Sequence, residues 1–277
     1  MTKVITFKNI TTIPELEQVQ RLEEEVWEMA PVPIHQTLTA IKNGGIMIGA
    51  YVNDYLIGFN YSFPGFENGK TYLCSHMMGI QPQYQGRGIG RQLKLKQRNI
   101  ALKQGYSKIT WTYDPLESVN GYLNLTKLRG IGAVYIENCY GELNDSLNKG
   151  LPTDRFKVEW FIGSGHVEME QPWLDEFTYS NDHSLFDNEI TSEGLPKLRE
   201  KEVVQLEEND HWWVPLPEKF QHIKKADPSL ALDWRLKTRK AFQALLRAGF
   251  VASKIVKQRN SDVHFYLFVR KEQLLLG

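Results

Sequence analysis

Residues Ser75 to Arg91 read Ser-His-Met-Met-Gly-Ile-Gln-Pro-Gln-Tyr-Gln-Gly-Arg-Gly-Ile-Gly-Arg, and the order of residue types in this stretch decides the fold. An apolar strand gives way to a proline-containing connector, then to a glycine-rich turn, then to a helix. The first turn of a helix leaves backbone N–H groups without partners and carries partial positive charge. Glycines at that junction let a phosphate come within hydrogen-bonding distance of those groups. The turn Gln85, Gly86, Arg87, Gly88, Ile89 and Gly90 therefore suits a pyrophosphate, and Arg87 and Arg91 can add charge-assisted contacts. Two other phosphate patterns fail on residue type. A P-loop needs Lys and then Ser or Thr after its last glycine, whereas Gly90 is followed by Arg91 and Gln92. The dinucleotide fingerprint begun at Gly86 needs glycine where Arg91 stands. The same glycines also fit a plain tight turn ahead of a helix, so the surrounding elements carry the choice.

On the N-terminal side, Val4 to Phe7 reads as a short strand. Pro14 then opens a helix with Leu16, Val19, Leu22 and Val26 at helical spacing. Ile46 to Val52 and Tyr55 to Phe63 are apolar runs separated by Asn53-Asp54, the pattern of a hairpin. A third run, Thr71 to Ile80, extends the meander. On the C-terminal side, Ile89, Leu93 and Ile100 stripe a helix that stops near Gly105. Lys108 to Tyr113 is a strand, Asn120 to Leu128 a helix broken by Gly130-Ile131-Gly132, and Val134 to Tyr140 and Phe156 to Ile162 are strands. The order predicts a mixed α/β layer architecture rather than a doubly wound one.

Between Val167 and Gly194 there are eight acidic residues and no lysine or arginine, which reads as a linker. We therefore expect a first domain over residues 1–163, an acidic linker over 164–199 and a smaller C-terminal α/β lobe over 200–277. In that lobe Glu202 to Leu206 reads as a strand. Leu230, Trp234, Ala241, Leu245 and Ala248 line a helix closed by Gly249, and Phe250 to Val256 and Val263 to Val269 are strands. The lobe ends α-β-β as the first domain does, a pattern that degenerate duplication produces and that chance produces too. Trp212, Trp213 and Trp234 with Arg235, Arg239 and Lys240 fit either a packed core with a solvated face or a clamp for an anion.

Lysine plus arginine equals aspartate plus glutamate at 33 each, so no net field favours nucleic acid or an anionic membrane. Cys74 and Cys139, the two cysteines, stand in predicted strands outside any CxxC pair, and both are expected reduced. Six histidines, His35, His166, His183, His211, His222 and His264, lack metal-ligand spacing, so no metal is predicted. Met1 to Phe7 lacks the build of a signal peptide, and no run has the length of an apolar membrane span. A cytoplasmic, soluble protein is expected, without nucleic acid or membrane as partner.

Gln85, Gly88 and Gly90 after an apolar strand resemble the coenzyme A motif of the GNAT acetyltransferase superfamily, Gln/Arg-x-x-Gly-x-Gly/Ala. The element order over residues 1–163 is similar to that fold, a mainly antiparallel mixed sheet flanked by helices. Ser75-His76-Met77, Trp111 to Ser118 and Leu151 to Arg155 resemble a bacterial subgroup with a C-terminal extension. The resemblance implies acetyl-CoA as co-substrate and acyl transfer by direct attack of a small-molecule or amino-acid-like amine. It leaves open a non-catalytic acyl-CoA sensor or scaffold, and a homodimer as the assembly.

It further implies that the strand ending at Ile80 splays from its neighbour, with main chain near Met78 and Ile80 binding the pantetheine arm and thioester. The superfamily's strand glutamate is absent between Thr71 and Gln83, which leaves His76 to act as base. Asp114 and Glu117 are implied to face the acceptor, Asp114 also to carry its proton; Asp-Pro as a turn and Glu117 or Ser118 as a helix cap fit the same residues. Asn120 and Asn124 are implied to hold the coenzyme A chain. The family pattern Leu-Tyr-x-Lys-x-Gly-Phe appears as Leu125-Thr126-Lys127-Leu128-Arg129-Gly130-Ile131. Thr126 thus stands where a tyrosine would protonate the leaving thiolate, and the proton must come from Tyr122, Tyr135 or water.

Overall fold

The computed structural model describes residues 4–142, 149–202 and 205–277. Its contacts divide the chain into two units, Met1–Trp111 with Phe161–Gly163, and Thr112–Trp160 with Ser164–Gly277. The division falls inside a strand at Trp111, not in the acidic stretch where composition places it.

The first unit runs β1 (Thr6–Asn9), α1 (Ile13–Trp27), α2 (Ile34–Lys42), β2 (Ile46–Val52), β3 (Tyr55–Glu67), β4 (Lys70–Ile80), α3 (Ile89–Lys103) and β5 (Lys108–Tyr113), the last two residues of β5 belonging to the second unit. Helix α1 starts on a capping box: Glu15 Oε2 accepts from the backbone N–H groups of Thr11 and Thr12, both at 3.1 Å. The β2–β3 hairpin turns on Asn53 and Asp54, both at positive φ. Strand β3 continues past the expected Phe63 to Glu67, because Asn68 and Gly69 make a second such turn into β4. The strand order is β1-β2-β3-β4-β5, antiparallel except for β4 with β5. Leu16, Val19 and Leu22 of α1 pack with Met47, Tyr51, Phe59 and Tyr61 into one core. Ile46, Ile48 and Ala50 point from β2 to the opposite face and are also buried; α3 packs against this strand.

The second unit contains α4 (Ser118–Gly121) continuing into a π turn (Tyr122–Lys127), β6 (Ile131–Ile136), β7 (Arg155–Phe161), α5 (Gly165–Glu168), α6 (Pro172–Glu176), β8 (Phe186–Ile190), β9 (Pro196–Glu200), β10 (His211–Pro217), α7 (Phe220–Ala226), α8 (Pro228–Arg247), β11 (Phe250–Val256) and β12 (Val263–Arg270). Strands β7-β6-β11-β12-β10 follow one another in an antiparallel sheet, and β8 with β9 forms a separate hairpin. Three sequence readings are corrected here. Strand β6 starts at Ile131, not Val134, because Gly132 joins the ladder opposite Ala252, where an added Cβ would come within 3.2 Å of the alanine Cβ. It ends at Ile136, and Cys139 lies in a turn. The acidic stretch holds ordered elements: Asp187 and Glu189 of β8 pair with Lys197 and Arg199 of β9 and with Lys201, cations just beyond the window in which none occurs. The strand expected over Glu202 to Leu206 lies partly outside the described residues; Leu206 itself opens a 3-10 turn. Trp213 and Trp234 are fully buried, as is Arg235, so these residues form core and not a surface clamp. Among the described residues neither Cys74 nor Cys139 is in a disulfide.

Candidate functional site

The glycine-rich turn has the backbone its sequence demands. Gly86 and Gly88 adopt φ of 72° and 78°, and a Cβ on either would meet nothing within 4 Å. Both positions therefore need glycine for conformation, and the space above them is open. Gly88 is the N-cap of α3 and supplies no side chain to the exposed N–H groups of the first turn. The turn is fastened to β4 by Gln85, whose Nε2 donates to the Ile80 carbonyl at 3.1 Å. Gly90 is buried against the same strand: a Cβ there would lie 3.2 Å from Met78 Cε and 3.5 Å from Ile80 Cδ1. Arg87 and Arg91 are exposed, Arg87 over the Tyr84 ring at 5.3 Å. The fold thus brings Met78, Ile80, Gln85 to Gly90 and Arg91 into one neighbourhood.

His76 sits at the one irregularity of β4. Register passes from Tyr61 opposite Met77 to Ser62 opposite Ser75, leaving His76 as the extra residue of a β-bulge. The parallel ladder with β5 joins Leu73 to Ile109 and Cys74 to Thr110, and among the described residues goes no further. The His76 ring lies 6.0 Å from Tyr61 and 5.5 Å from Phe63, centroid to centroid. It keeps an exposed edge, while crowding by these rings lowers its pKa below the usual imidazole value.

Under the same strand lies a buried polar cluster that sequence reading passed over. Lys94 Nζ donates to Ser75 Oγ at 2.8 Å and stands 3.6 Å from the Trp111 ring centroid. Gln97 Nε2 and Asn60 Nδ2 donate to the same hydroxyl at 3.0 and 3.1 Å. The available signal was in α3, where Lys94 and Gln97 share the inward stripe with Leu93 and Ala101.

The remaining candidates belong to the second unit. Asp114 accepts from Arg235 and from its own turn at Leu116. Glu117 accepts from Gln221 Nε2 at 2.5 Å, and burial raises its pKa. Asn120 is exposed on α4, and Asn124 is buried in the π turn. Thr126 bridges β11: its Oγ1 donates to the Ile255 carbonyl at 3.0 Å and accepts the Ile255 N–H at 2.9 Å. Tyr135 donates to Asp154 Oδ2 at 2.6 Å, and burial together with that bond pushes its phenol well up. Among the described residues no group of three or more His, Cys, Asp or Glu gathers to hold a metal, and no helix is long and apolar enough to cross a membrane.

Residues 12–122 match the model of the acetyltransferase (GNAT) family. Solved structures similar to this chain include Arabidopsis thaliana Naa50 in complex with the bisubstrate analogue CoA-Ac-MVNAL, 18% identical over 56% of this chain and 97% of that one, TM-score 0.46. The ribosomal-protein-S18-alanine N-acetyltransferase from Escherichia coli is 14% identical over 64% of this chain and 100% of its own, TM-score 0.47. A GNAT family acetyltransferase from Elizabethkingia anophelis with acetyl-CoA bound is 21% identical over 57% and 97%, TM-score 0.42. No curated protein matches the chain.

Proposed function

We propose that the chain, whose residues 12–122 match the acetyltransferase (GNAT) family, is a member of that family and transfers an acyl group from a coenzyme A thioester, acetyl-CoA in the simplest case, to a small-molecule amine in the cytoplasm. The observation that carries this reading is the pair of left-handed glycines, Gly86 and Gly88, under open space at an uncapped helix start. The first N–H groups of α3 receive the pyrophosphate, and Arg87 and Arg91 neutralise its charge. The main chain of β4 near Met78 and Ile80, beyond its last pairing with β5, takes the pantetheine arm and thioester.

Transfer then needs a deprotonated amine. Its nitrogen attacks the thioester carbon, a C–N bond forms, the C–S bond breaks, and the thiolate leaves and takes a proton from water. His76, at the bulge, accepts the ammonium proton, and a positioned base of this kind contributes roughly 10²- to 10⁴-fold. The lowered pKa of its imidazole keeps it unprotonated near neutrality. Asp114 is given no part in this step, because Arg235 already occupies both of its oxygens.

One observation favours the non-catalytic alternative, an acyl-CoA sensor: the hydroxyl at the family's tyrosine position is committed to Ile255. Calorimetric titration with acetyl-CoA, followed by a thiol-release assay across a panel of primary amines, separates the readings. Saturable binding with turnover supports transfer, and saturable binding without turnover supports the sensor. The variant Gly88→Glu places a carboxylate where the pyrophosphate would sit and should abolish binding; unchanged affinity removes the basis of the assignment.

A further inference from the structure

The bulge of β4 decides where two site residues point. Ser75 and Met78 face α3: the Ser75 hydroxyl meets Lys94 and Gln97, and Met78 packs against Gly90. His76 and Met77 face α1: the His76 ring lies against Tyr61 and Phe63, and Met77 packs on the core that α1 makes with Tyr61. Residues of a regular strand alternate between faces. With Met78 held at Gly90, strict alternation would turn residue 76 toward α3 and away from Tyr61. The extra residue is what brings His76 and Met78 to their places together.

Asn60 spans that extra residue. On β3 it stands opposite Met78, and its amide reaches back to both neighbours of His76. Nδ2 donates to the Ser75 hydroxyl at 3.1 Å and to the Met77 carbonyl at 3.4 Å. A carbonyl only accepts, so the contact with Met77 fixes which end of the amide meets the bulge. Asn60 is 0% exposed, and its Oδ1 has no hydrogen-bond partner among the described residues. An apolar side chain would avoid that cost, so the position calls for another reason to carry an amide.

We propose that Asn60, acting through Ser75 and the Met77 carbonyl, is a positioning residue that pins the bulge and so keeps His76 beside Tyr61 while Met78 stays beside Gly90. This rests on the reading of His76 as the base that accepts the ammonium proton. Asn60 itself carries no proton in the reaction. With its amide removed, a one-residue shift of the bulge costs less, and such a shift exchanges the faces of the residues it passes. The end of β4 is anchored separately, by Gln85 on the Ile80 carbonyl and by the packing of Met78 and Ile80 on Gly90. His76 is thus the residue that moves.

The test uses two variants of the full chain, Asn60→Leu, which keeps similar bulk and loses both bonds, and Ser75→Ala, which removes the hydroxyl alone. His76 is read directly from its imidazole resonances in a pH titration, assigned by their loss in His76→Ala. Burial lowers its pKa in the wild type; in both variants the midpoint should move up toward the free value of about 6.5. The rate constant kcat with acetyl-CoA and a productive amine should fall roughly 10- to 100-fold, the scale of a displaced catalytic group, while calorimetry shows acetyl-CoA affinity little changed. Thermal unfolding of each variant reports that the fold is kept. A His76 titration unmoved in the two folded variants overturns the proposal, and so does outright unfolding of both, which would assign Asn60 to the core alone. A moved titration with kcat unchanged leaves Asn60 as the residue that positions His76 and overturns instead the reading of His76 as base.

Discussion

Arg235 holds Asp114 through both carboxylate oxygens, Nη1 to Oδ1 at 2.8 Å and Nη2 to Oδ2 at 2.5 Å. Arg155 adds a longer contact to Oδ2 at 3.8 Å. The guanidinium is 1% exposed, so the pair is a fastening inside the second unit. Removing Arg235 leaves the Asp114 carboxylate with the Leu116 N–H and the longer Arg155 contact alone. Arg235→Met should therefore lower unfolding free energy by about 3–5 kcal/mol. A urea midpoint series measures it, and a loss under about 1 kcal/mol would show that the pair is not the fastening its burial suggests.

Thr126 gives a prediction that separates family pattern from local need. Restoring the family tyrosine with Thr126→Tyr removes a hydroxyl that both accepts from and donates to the backbone of Ile255, and puts a ring against β11. Each buried backbone group left unpaired costs about 1–3 kcal/mol. The variant should lose stability and gain no thiol release. Higher turnover in a stable Thr126→Tyr protein would mean that this position still serves the leaving thiolate.

Much of this was legible along the chain, and the exceptions share a cause. The Asn53-Asp54 hairpin, β5 over Lys108–Tyr113 and the closure of α8 at Gly249 follow from local residue types, and all stand where expected. Strand β10 did not, because Pro215 and Pro217 argue against a strand. The prolines are tolerated because β10 is the last strand in the sheet order. Nor could the sequence reveal that His76 is a bulge residue, since bulges arise from cross-strand register. Pairing of Asp187 and Glu189 with Lys197, Arg199 and Lys201 likewise depends on a hairpin that brings distant charges together. The glycine-rich turn ahead of α3 is local and could be read. The polar cluster at Lys94 is tertiary and could not.

His76 should set the acid limb of turnover. Its pKa is lowered by burial, and only the neutral imidazole can accept a proton. The rate constant kcat, measured with acetyl-CoA and a productive amine, should rise with pH through a midpoint below about 6.5 and be flat above it. His76→Ala should remove this limb and lower kcat by roughly 10²-fold or more, with little change in acetyl-CoA affinity. An unchanged limb in the variant assigns the base elsewhere.

His166 makes stability itself depend on pH. It is 1% exposed, neither ring nitrogen has a hydrogen-bond partner among the described residues, and burial with Arg129 nearby pushes its pKa down to about 4. In the unfolded chain the same imidazole titrates near 6.5. Between these values the unfolded chain binds the proton more readily than the folded one. The contribution is therefore complete above about pH 6.5, declines as pH falls and is exhausted below about 4. At 1.36 kcal/mol per pH unit the full loss is about 3 kcal/mol at most. His166→Leu fills the site without a proton to bind, so urea unfolding at pH 7, 5.5 and 4 should show a flatter acid decline than in the wild type. Parallel declines in the two proteins would mean that His166 is reached by water and does not drive the acid sensitivity.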